Sequence, residues 1–347
     1  MTAKLSIALD VMGGDNGPRV VCNAALQELQ HNPQLHLILV GNEEVIRPLV
    51  DDHARQFGER LIIHHTSQVV AMDEQPTLAL RNKKDSSMRV AVNLVNDGQA
   101  DACVSAGNTG ALVATAHYVL KTLPGISRPA LIKCLPAIDG RTWVLDLGAN
   151  IDCSAHQLFQ FSVMGSVISE AVGGIQHPRI GLLNMAWEGL ENSKKYIEAA
   201  QLLFSSELNY IGYIDGGQIY SSDVDVVVSD GFVNNVALKT SEGAAKFILT
   251  SMKKEFGRNL ATKMAAYLAY PVLKKLRARA DARNYNGASL LGLRGIVIKS
   301  HGNADSYSFA HAIRHAISET KMNIPYLIGS KIDKVLNGRH RIKVKSY

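Results

Sequence analysis

The 347-residue chain is poor in cysteine, with four, and in aromatic side chains, at 6%. The cysteines (Cys22, Cys103, Cys134, Cys153) are widely spaced, with no C-x-x-C pair and no histidine at zinc-ligand spacing. That excludes a disulfide scaffold or a zinc module and predicts reduced thiols buried as small hydrophobes. No uncharged apolar run approaches the roughly 18 residues of a membrane span. The first residues carry neither the apolar core nor the cleavage site of a signal peptide. The G-x4-G-K-[ST] phosphate loop, the dinucleotide G-x-G-x-x-G with its acidic follower, G-x-S-x-G and H-E-x-x-H are also missing. Nucleoside triphosphate chemistry, ordinary NAD binding and zinc hydrolysis lose support accordingly. The expectation is a soluble, cytoplasmic globular protein with no metal and no cofactor.

Apolar residues make up 46% and charged residues 20%, and the net charge is +6. The charge is unevenly placed. Lys253–Arg283 carries a net +7 and Lys331–Tyr347 a net +5, which leaves the rest of the chain at −6. A nucleic-acid binder spreads basic residues over a folded face with stacking aromatics, so no nucleic-acid partner is expected. A local patch for an acidic protein or an anionic membrane surface fits better. Within it, Leu260, Met264, Tyr267, Leu268, Val272 and Leu276 recur at steps of three and four beside Lys263, Lys274, Lys275 and Arg277. The alternatives are a core helix with a solvated basic face, an interfacial membrane helix, and a docking site for an acidic protein. Pro271 predicts two short helices meeting at Tyr270-Pro271.

The rest reads as repeated strand, polar loop and helix. Strands are expected at Leu5–Leu9, His36–Val40, Leu61–His65, Ala102–Val104, Trp143–Leu145, Arg179–Leu183, Tyr210–Ile214, Val224–Val228 and Ile296–Lys299. Asn42 is placed to cap the helix that opens with Glu43-Glu44. Alternation of this kind argues for an α/β fold, a Rossmann-like α/β/α sandwich on a mostly parallel sheet. No linker divides the chain, so residues 1–320 read as one two-lobed unit with a basic amphipathic helical insertion at about 253–283. Residues 321–347 read as an appended basic tail.

Parallel sheets place ligands at the carboxyl ends of their strands. Five such junctions carry glycine with short polar residues: Asp10…Gly13-Gly14-Asp15, Ser105-Ala-Gly107-Asn108-Thr109-Gly110, Asp146-Leu-Gly148-Ala-Asn150, Asp230-Gly231-Phe-Val-Asn234-Asn235 and Lys299-Ser-His301-Gly302-Asn303. Glycine admits close backbone approach, and helix N-termini offer free N–H groups. One anion site built from these loops is the expectation. Ser105–Gly110 is the best single phosphate cradle, although Gly-Asn-Thr-Gly also makes a plain helix start. Arg81–Arg89 gathers four cations around Ser86 and Ser87, as a solvated turn or an anion clamp. Tyr285–Gly295 reads as a glycine-rich apolar loop feeding a buried strand.

These segments strongly resemble the bacterial phosphate acyltransferase (PlsX) family. The resemblance rests on Ala8–Asp15, Lys84–Ala91, Val104–Ala111, Val144–Asn150, Ser229–Phe232 with Asn235–Thr240, and Tyr285–Gly295 with Lys299–Gly302, in order from about residue 5 to 320. It implies an architecture like that of isocitrate dehydrogenases and phosphotransacetylases. It also implies a homodimer in the cytoplasm that associates peripherally with the membrane. The implied reaction moves a long-chain acyl group from acyl carrier protein to inorganic phosphate. The acyl phosphate then passes to a membrane glycerol-3-phosphate acyltransferase. One departure is Asn184-Met-Ala-Trp-Glu-Gly-Leu-Glu-Asn192, where the family commonly has Asn-x-Gly-x-Glu-Glu-x-Lys-Gly.

Phosphate is largely dianionic near neutral pH and thiolate is a fair leaving group, so the reaction needs positioning and oxyanion stabilisation most. Direct transfer without a covalent enzyme intermediate is expected. Ser105, Asn108, Thr109 and Gly110 would cradle phosphate, with Gly107 and the Asp10, Gly13, Gly14, Asp15, Gly302 loops around it. Lys84 and Ser86 would balance charge. Asn150, Asn234 or Asn235, with Asp146 and Asp230, would serve phosphate or the oxyanion, and Lys239 or His301 would assist the departing sulfur. Leu260, Met264, Leu268, Lys274, Lys275 and Arg277 would dock the membrane or the carrier protein. The competing readings are a phosphotransacetylase acting on short acyl-CoA, a non-catalytic membrane adaptor, and an acyl-enzyme on Cys103 or Cys153.

Overall fold

The structure is a computed structural model and describes residues 4–184 and 194–344. In chain order it runs β1 (Leu5–Asp10), α1 (Gly17–His31), β2 (Leu35–Gly41), α2 (Glu43–Phe57), β3 (Leu61–His65), α3 (Pro76–Asn82), α4 (Ser87–Asn96), β4 (Ala102–Ser105), α5 (Thr109–Leu120), β5 (Ala130–Pro136) and β6 (Arg141–Leu145). It continues with α6 (Ala155–Ala171), β7 (Ile180–Leu183), α7 (Lys194–Phe204), β8 (Tyr210–Ile214), β9 (Val226–Val228), α8 (Gly231–Phe256), α9 (Leu260–Ala280), β10 (Ala288–Leu291), β11 (Ile296–Lys299), α10 (Ser306–Met322) and α11 (Ile324–Val344). The strands among these form one sheet in the order β3-β2-β1-β4-β11-β10-β5-β6-β9-β7-β8. Its pairings are parallel except β11·β10, β10·β5 and β5·β6, so the α/β class and the mostly parallel sheet hold.

Alternation along the strands sorts the core. On one face Ala8, Cys103, Val297, Leu290, Leu131, Val144 and Val227 join one apolar cluster with α4 and α5. On the other, Ile7, Leu9, Val104 and Ile298 pack with α1 and α10, while Ile132, Trp143, Leu145 and Val226 pack with α6, α7 and α11. Both faces are covered, as parallel strands with near-continuous apolar runs require. All four cysteines are buried and free of disulfides, as expected. Asn42 Oδ1 accepts from Glu44 N (2.9 Å), the predicted cap.

Four features differ from expectation. First, β5 and β10 are strands beyond the expected set, and Tyr285–Gly295 contains β10 rather than only feeding a strand. Second, three successive antiparallel steps from β11 to β6 turn the sheet over. The carboxyl ends of β6 and β9 therefore open on the edge opposite those of β1, β4 and β11. Third, α9 continues through Pro271 as one helix. The carbonyl left without its N–H partner there belongs to Tyr267, which is 78% exposed, so water can satisfy it. Fourth, the supposed tail forms α11, which sets Ile324, Ile328 and Ile332 into the core at a helical spacing of four.

Candidate active site

The β1, β4 and β11 tips are in register: Asp10 pairs with Ser105, and Ser105 with Lys299. By the alternation above, all three side chains stand on the face of Ala8, Cys103 and Val297. β10 continues the row with Ala288 opposite Lys299. Lys133 on β5 lies one step beyond the Ser289–Ile132 pair and on the same face as Leu131. One row across four neighbouring parallel and antiparallel strands and a fifth thus ends the apolar floor with Asp10, Ser105, Lys299 and Lys133.

The loops above this row interlock. Ser105 Oγ donates to Asp10 Oδ2 (2.6 Å) and accepts from Gly107 N (3.1 Å). Asp15 N donates to Gly302 O (2.8 Å), and Asn16 Nδ2 donates to Asn303 Oδ1 (3.1 Å) and Ala304 O (2.9 Å). A Cβ on Gly13 would come within 2.5 Å of Asp10 Oδ2 and 2.8 Å of Gly107 N, so this crossing admits only glycine. Gly14, at φ +96°, packs against Ala106 and Gly302 O. Burial pushes the Asp10 carboxyl above its ordinary value, against bonds from Ser105, Ser87 and Gly13 and the charge of Lys299.

Several expected ligands are engaged in holding this frame. Asn108 caps α5, accepting from Ala111 N (3.0 Å), and its amide donates to Met72 O (2.8 Å) and Glu74 O (3.0 Å). Ser86 caps α4, accepting from Arg89 N (3.3 Å) and donating to Lys83 O (2.8 Å), while Lys84 is exposed. Of the proposed cradle, the first-turn amides of Thr109 and Gly110, both exposed residues at the start of α5, are the groups that suit an anion.

The second set of loops lies at the opposite sheet edge. Asp146 accepts from Leu131 N (2.8 Å), Ala149 N (3.1 Å), and Asn150 N (2.6 Å) and Nδ2 (3.0 Å); burial still raises its carboxyl above the ordinary value. Asn150 Nδ2 also donates to Pro129 O (2.8 Å), and Asn234 Nδ2 donates to Leu145 O. Asp230 caps α8 through Val233 N (3.1 Å) and meets Lys195 Nζ (3.1 Å), while Asn235 rests over Gly148. The expected convergence of all five loops on one anion is therefore corrected. Asp146, Asn150, Asp230 and Asn234 build their own edge, because the reversal at β10–β6 carries them there.

What links the two edges is α8. It leaves β9 beside Asn234 and Leu145, and three turns later Glu242 lies 2.8 Å from Lys239 and 3.9 Å from Lys133. His301 feels the charges of Lys239, Glu242, Lys133 and Lys299, so these five groups cluster above β5 and β11. Burial, then the lysines, holds the His301 imidazole below its ordinary value. Its Nδ1 accepts from Asn303 N (3.1 Å), which leaves the proton on Nε2. Burial also lowers the Lys133 ammonium, and brings Lys299 down to about 8 against the pull of Asp10 and Asp15.

Lys133, Glu242 and Asn286 were not foreseen. Asn286 orders the site from below, donating to Ser300 Oγ (2.8 Å) and Ser308 O (2.9 Å) and accepting from His301 N (3.0 Å). A lysine inside Ala130-Leu-Ile-Lys-Cys-Leu-Pro136 was the legible signal for Lys133. Among the described residues, no group of three or more His, Cys, Asp or Glu could hold a metal ion. Burial raises the thiols, Cys134 to about 11 and Cys22 and Cys153 to about 12, and Cys103 further. None is a ready nucleophile.

The model of the family described as "Fatty acid synthesis protein" matches residues 5–326. A phosphate acyltransferase of Methylococcus capsulatus is 55% identical over 335 residues, 96% of this chain and 99% of that protein. The chain belongs to this phosphate acyltransferase family. As a member it is an acyltransferase, which sets aside the non-catalytic adaptor. Phosphate acyltransferases of Halorhodospira halophila (54% identical, 98% of this chain and 99% of the relative) and Legionella pneumophila strain Paris (52%, 96% and 98%) agree. A phosphotransacetylase structure from Streptococcus pyogenes shares the fold, with TM-score 0.59 and 18% identity over 93% of this chain and 95% of that one. So does a branched-chain phosphotransacylase from Enterococcus faecalis V583 (0.54, 15%, 91% and 99%). The family's altered segment, Asn184–Asn192, lies beyond Asn184 outside the described residues.

In the basic insertion, the apolar stripe of α9 does not face a core. Leu260, Met264 and Leu268 are 60–80% exposed, beside exposed Lys274 and Lys275. The core-helix alternative is corrected accordingly. The Arg277 side chain lies outside the described residues.

Proposed function

We propose that this acyltransferase moves a long-chain acyl group from the thioester of acyl carrier protein to inorganic phosphate, giving acyl phosphate. The observation that carries the reading is the cluster of Lys133, Lys239 and Lys299 around His301, with Glu242 3.9 Å from Lys133 and 2.8 Å from Lys239. Three cations and one carboxylate, Glu242, suit a phosphate dianion. The anion would sit between the lysines and the first amides of α5, and its oxygen would attack the thioester carbonyl directly. The Nε2–H of His301 and the Thr109 and Gly110 amides would stabilise the oxyanion. Buried, high-pKa cysteines support a path without an acyl-enzyme.

The α8–α9 hairpin would dock the acidic carrier protein or an anionic membrane surface through its exposed apolar and basic residues. No helix among the described residues is long and apolar enough to cross a membrane. We propose a cytoplasmic homodimer that touches the membrane peripherally and passes its product to a membrane glycerol-3-phosphate acyltransferase. The deciding experiment measures phosphate-dependent turnover of palmitoyl-carrier protein and of acetyl-CoA. Turnover of the former supports the reading, preference for acetyl-CoA makes the protein a phosphotransacetylase, and phosphate-independent consumption refutes both. Radiolabelled donor without phosphate tests direct transfer, which a stable acyl-enzyme would exclude.

A further inference from the structure

We propose that Lys299 is the proton donor to the sulfur that departs when the acyl thioester is cleaved. The inference rests on the thioester reading above. Lys299 ends β11 in the row that contains Asp10 and Ser105, on the same face of the sheet and two residues before His301. It is 8% exposed, and its ammonium donates to Ala106 O (3.2 Å) and to Ser300 O. Both acceptors are neutral carbonyls, so the group is oriented without being neutralised by a contact carboxylate. An ammonium carries three protons, which leaves one not engaged by these two carbonyls.

The neighbouring candidates are less suited. Lys239 is held by Glu242 at 2.8 Å and is more than half exposed. His301 is neutral, and its Nε2–H is a hydrogen-bond donor rather than an acid. Burial has brought Lys299 to about 8, beside the ordinary thiol value of about 8.5. A donor matched to its leaving group transfers a proton with little uphill cost. The titratable groups facing it are Asp10 from β1, Asp15 from the loop after β1 and His301 from its own loop.

The step balances. A phosphate oxygen forms the C–O bond, and the C–S electron pair leaves with sulfur. The Lys299 ammonium gives sulfur a proton, and the resulting amine takes up the proton that hydrogen phosphate loses on becoming acyl phosphate.

The test uses the full chain, phosphate, and two donors with the same acyl group: an alkyl thioester of pantetheine and an aryl thioester, whose thiolate leaves without a proton. Lys299→Met should lower kcat about 100-fold or more with the alkyl donor and less than about tenfold with the aryl donor. Wild-type kcat should fall above about pH 8 with the alkyl donor only. Equal losses with both donors, or a shared alkaline limb, overturn the proposal, as does alkyl-selective loss in Lys133→Met but not in Lys299→Met. If Lys299→Met does not fold, the wild-type pH comparison decides alone. Absence of phosphate-dependent turnover with either donor refutes the proposed function itself, an outcome distinct from these.

Discussion

The Glu242 carboxylate on α8 stands 3.9 Å from the Lys133 ammonium on β5 and 2.8 Å from that of Lys239, one helical turn before it. This single acid fixes how much positive charge the lysine cluster shows to an anion and to His301. In Glu242→Gln, the His301 imidazole should titrate at a lower pH, because the one neighbour that raises it is gone. Lys133→Met and Lys239→Met should move it upward. Histidine NMR titration reads all three, and an unmoved His301 would show that the groups do not cluster around it.

Phosphate binding should follow the same charges. Glu242→Gln should tighten phosphate roughly two- to fivefold, and Lys133→Met should weaken it by a similar factor. Isothermal calorimetry with inorganic phosphate checks both, and the effects should shrink at high salt.

Lys299 links stability to pH. Its folded value of about 8 lies below the roughly 10.4 of an unfolded lysine. Between those values the folded state binds fewer protons, so the group's contribution rises with pH. Wild type should gain on the order of 2–3 kcal/mol relative to Lys299→Met between pH 7.5 and 10.5, measured by urea unfolding.

Gly13→Ala should cost about 1–3 kcal/mol, because its methyl would enter the Asp10–Gly107 crossing. Gly17→Ala, where no atom lies within 4 Å of the added methyl, brings only backbone strain from φ +67°. A larger loss at Gly17 than at Gly13 would mean the crossing is looser than described.

Ile328→Ala should destabilise by about 2–5 kcal/mol, since Ile328 is buried in the core beneath α11. Leu268→Asp, on the exposed stripe of α9, should leave thermal unfolding of dilute protein unchanged and reduce sedimentation with acidic liposomes. An unchanged liposome fraction would remove the lipid half of the hairpin's proposed role.

Most strands and the loop chemistry were legible because buried strands read as apolar runs and glycine marks their exits. The two strands that escaped notice, β5 and β10, are the ones that turn the sheet over. β5 hides its run behind Lys133 and ends on Pro136, and β10 is four residues inside a glycine-rich stretch. With both unseen, a single site formed by Asp10, Ser105, Asp146, Asp230 and Lys299 loops followed naturally. Asn108 and Asn150 have the right chemistry for a ligand, but an amide that suits phosphate equally suits a helix cap or a loop carbonyl, and only the fold decides between them. Pro271 misled for a related reason: a broken backbone bond ends a helix in a dry core and is tolerated where the carbonyl meets water.

The length of α8 sets a distance. From Glu242 to Phe256 the helix rises about 21 Å at about 1.5 Å per residue, so whatever grips the outer end of the hairpin is held that far from the lysines. A donor anchored there must present its reactive carbon on an arm of comparable reach, and lengthening or shortening α8 by whole turns would change which arms can span the gap.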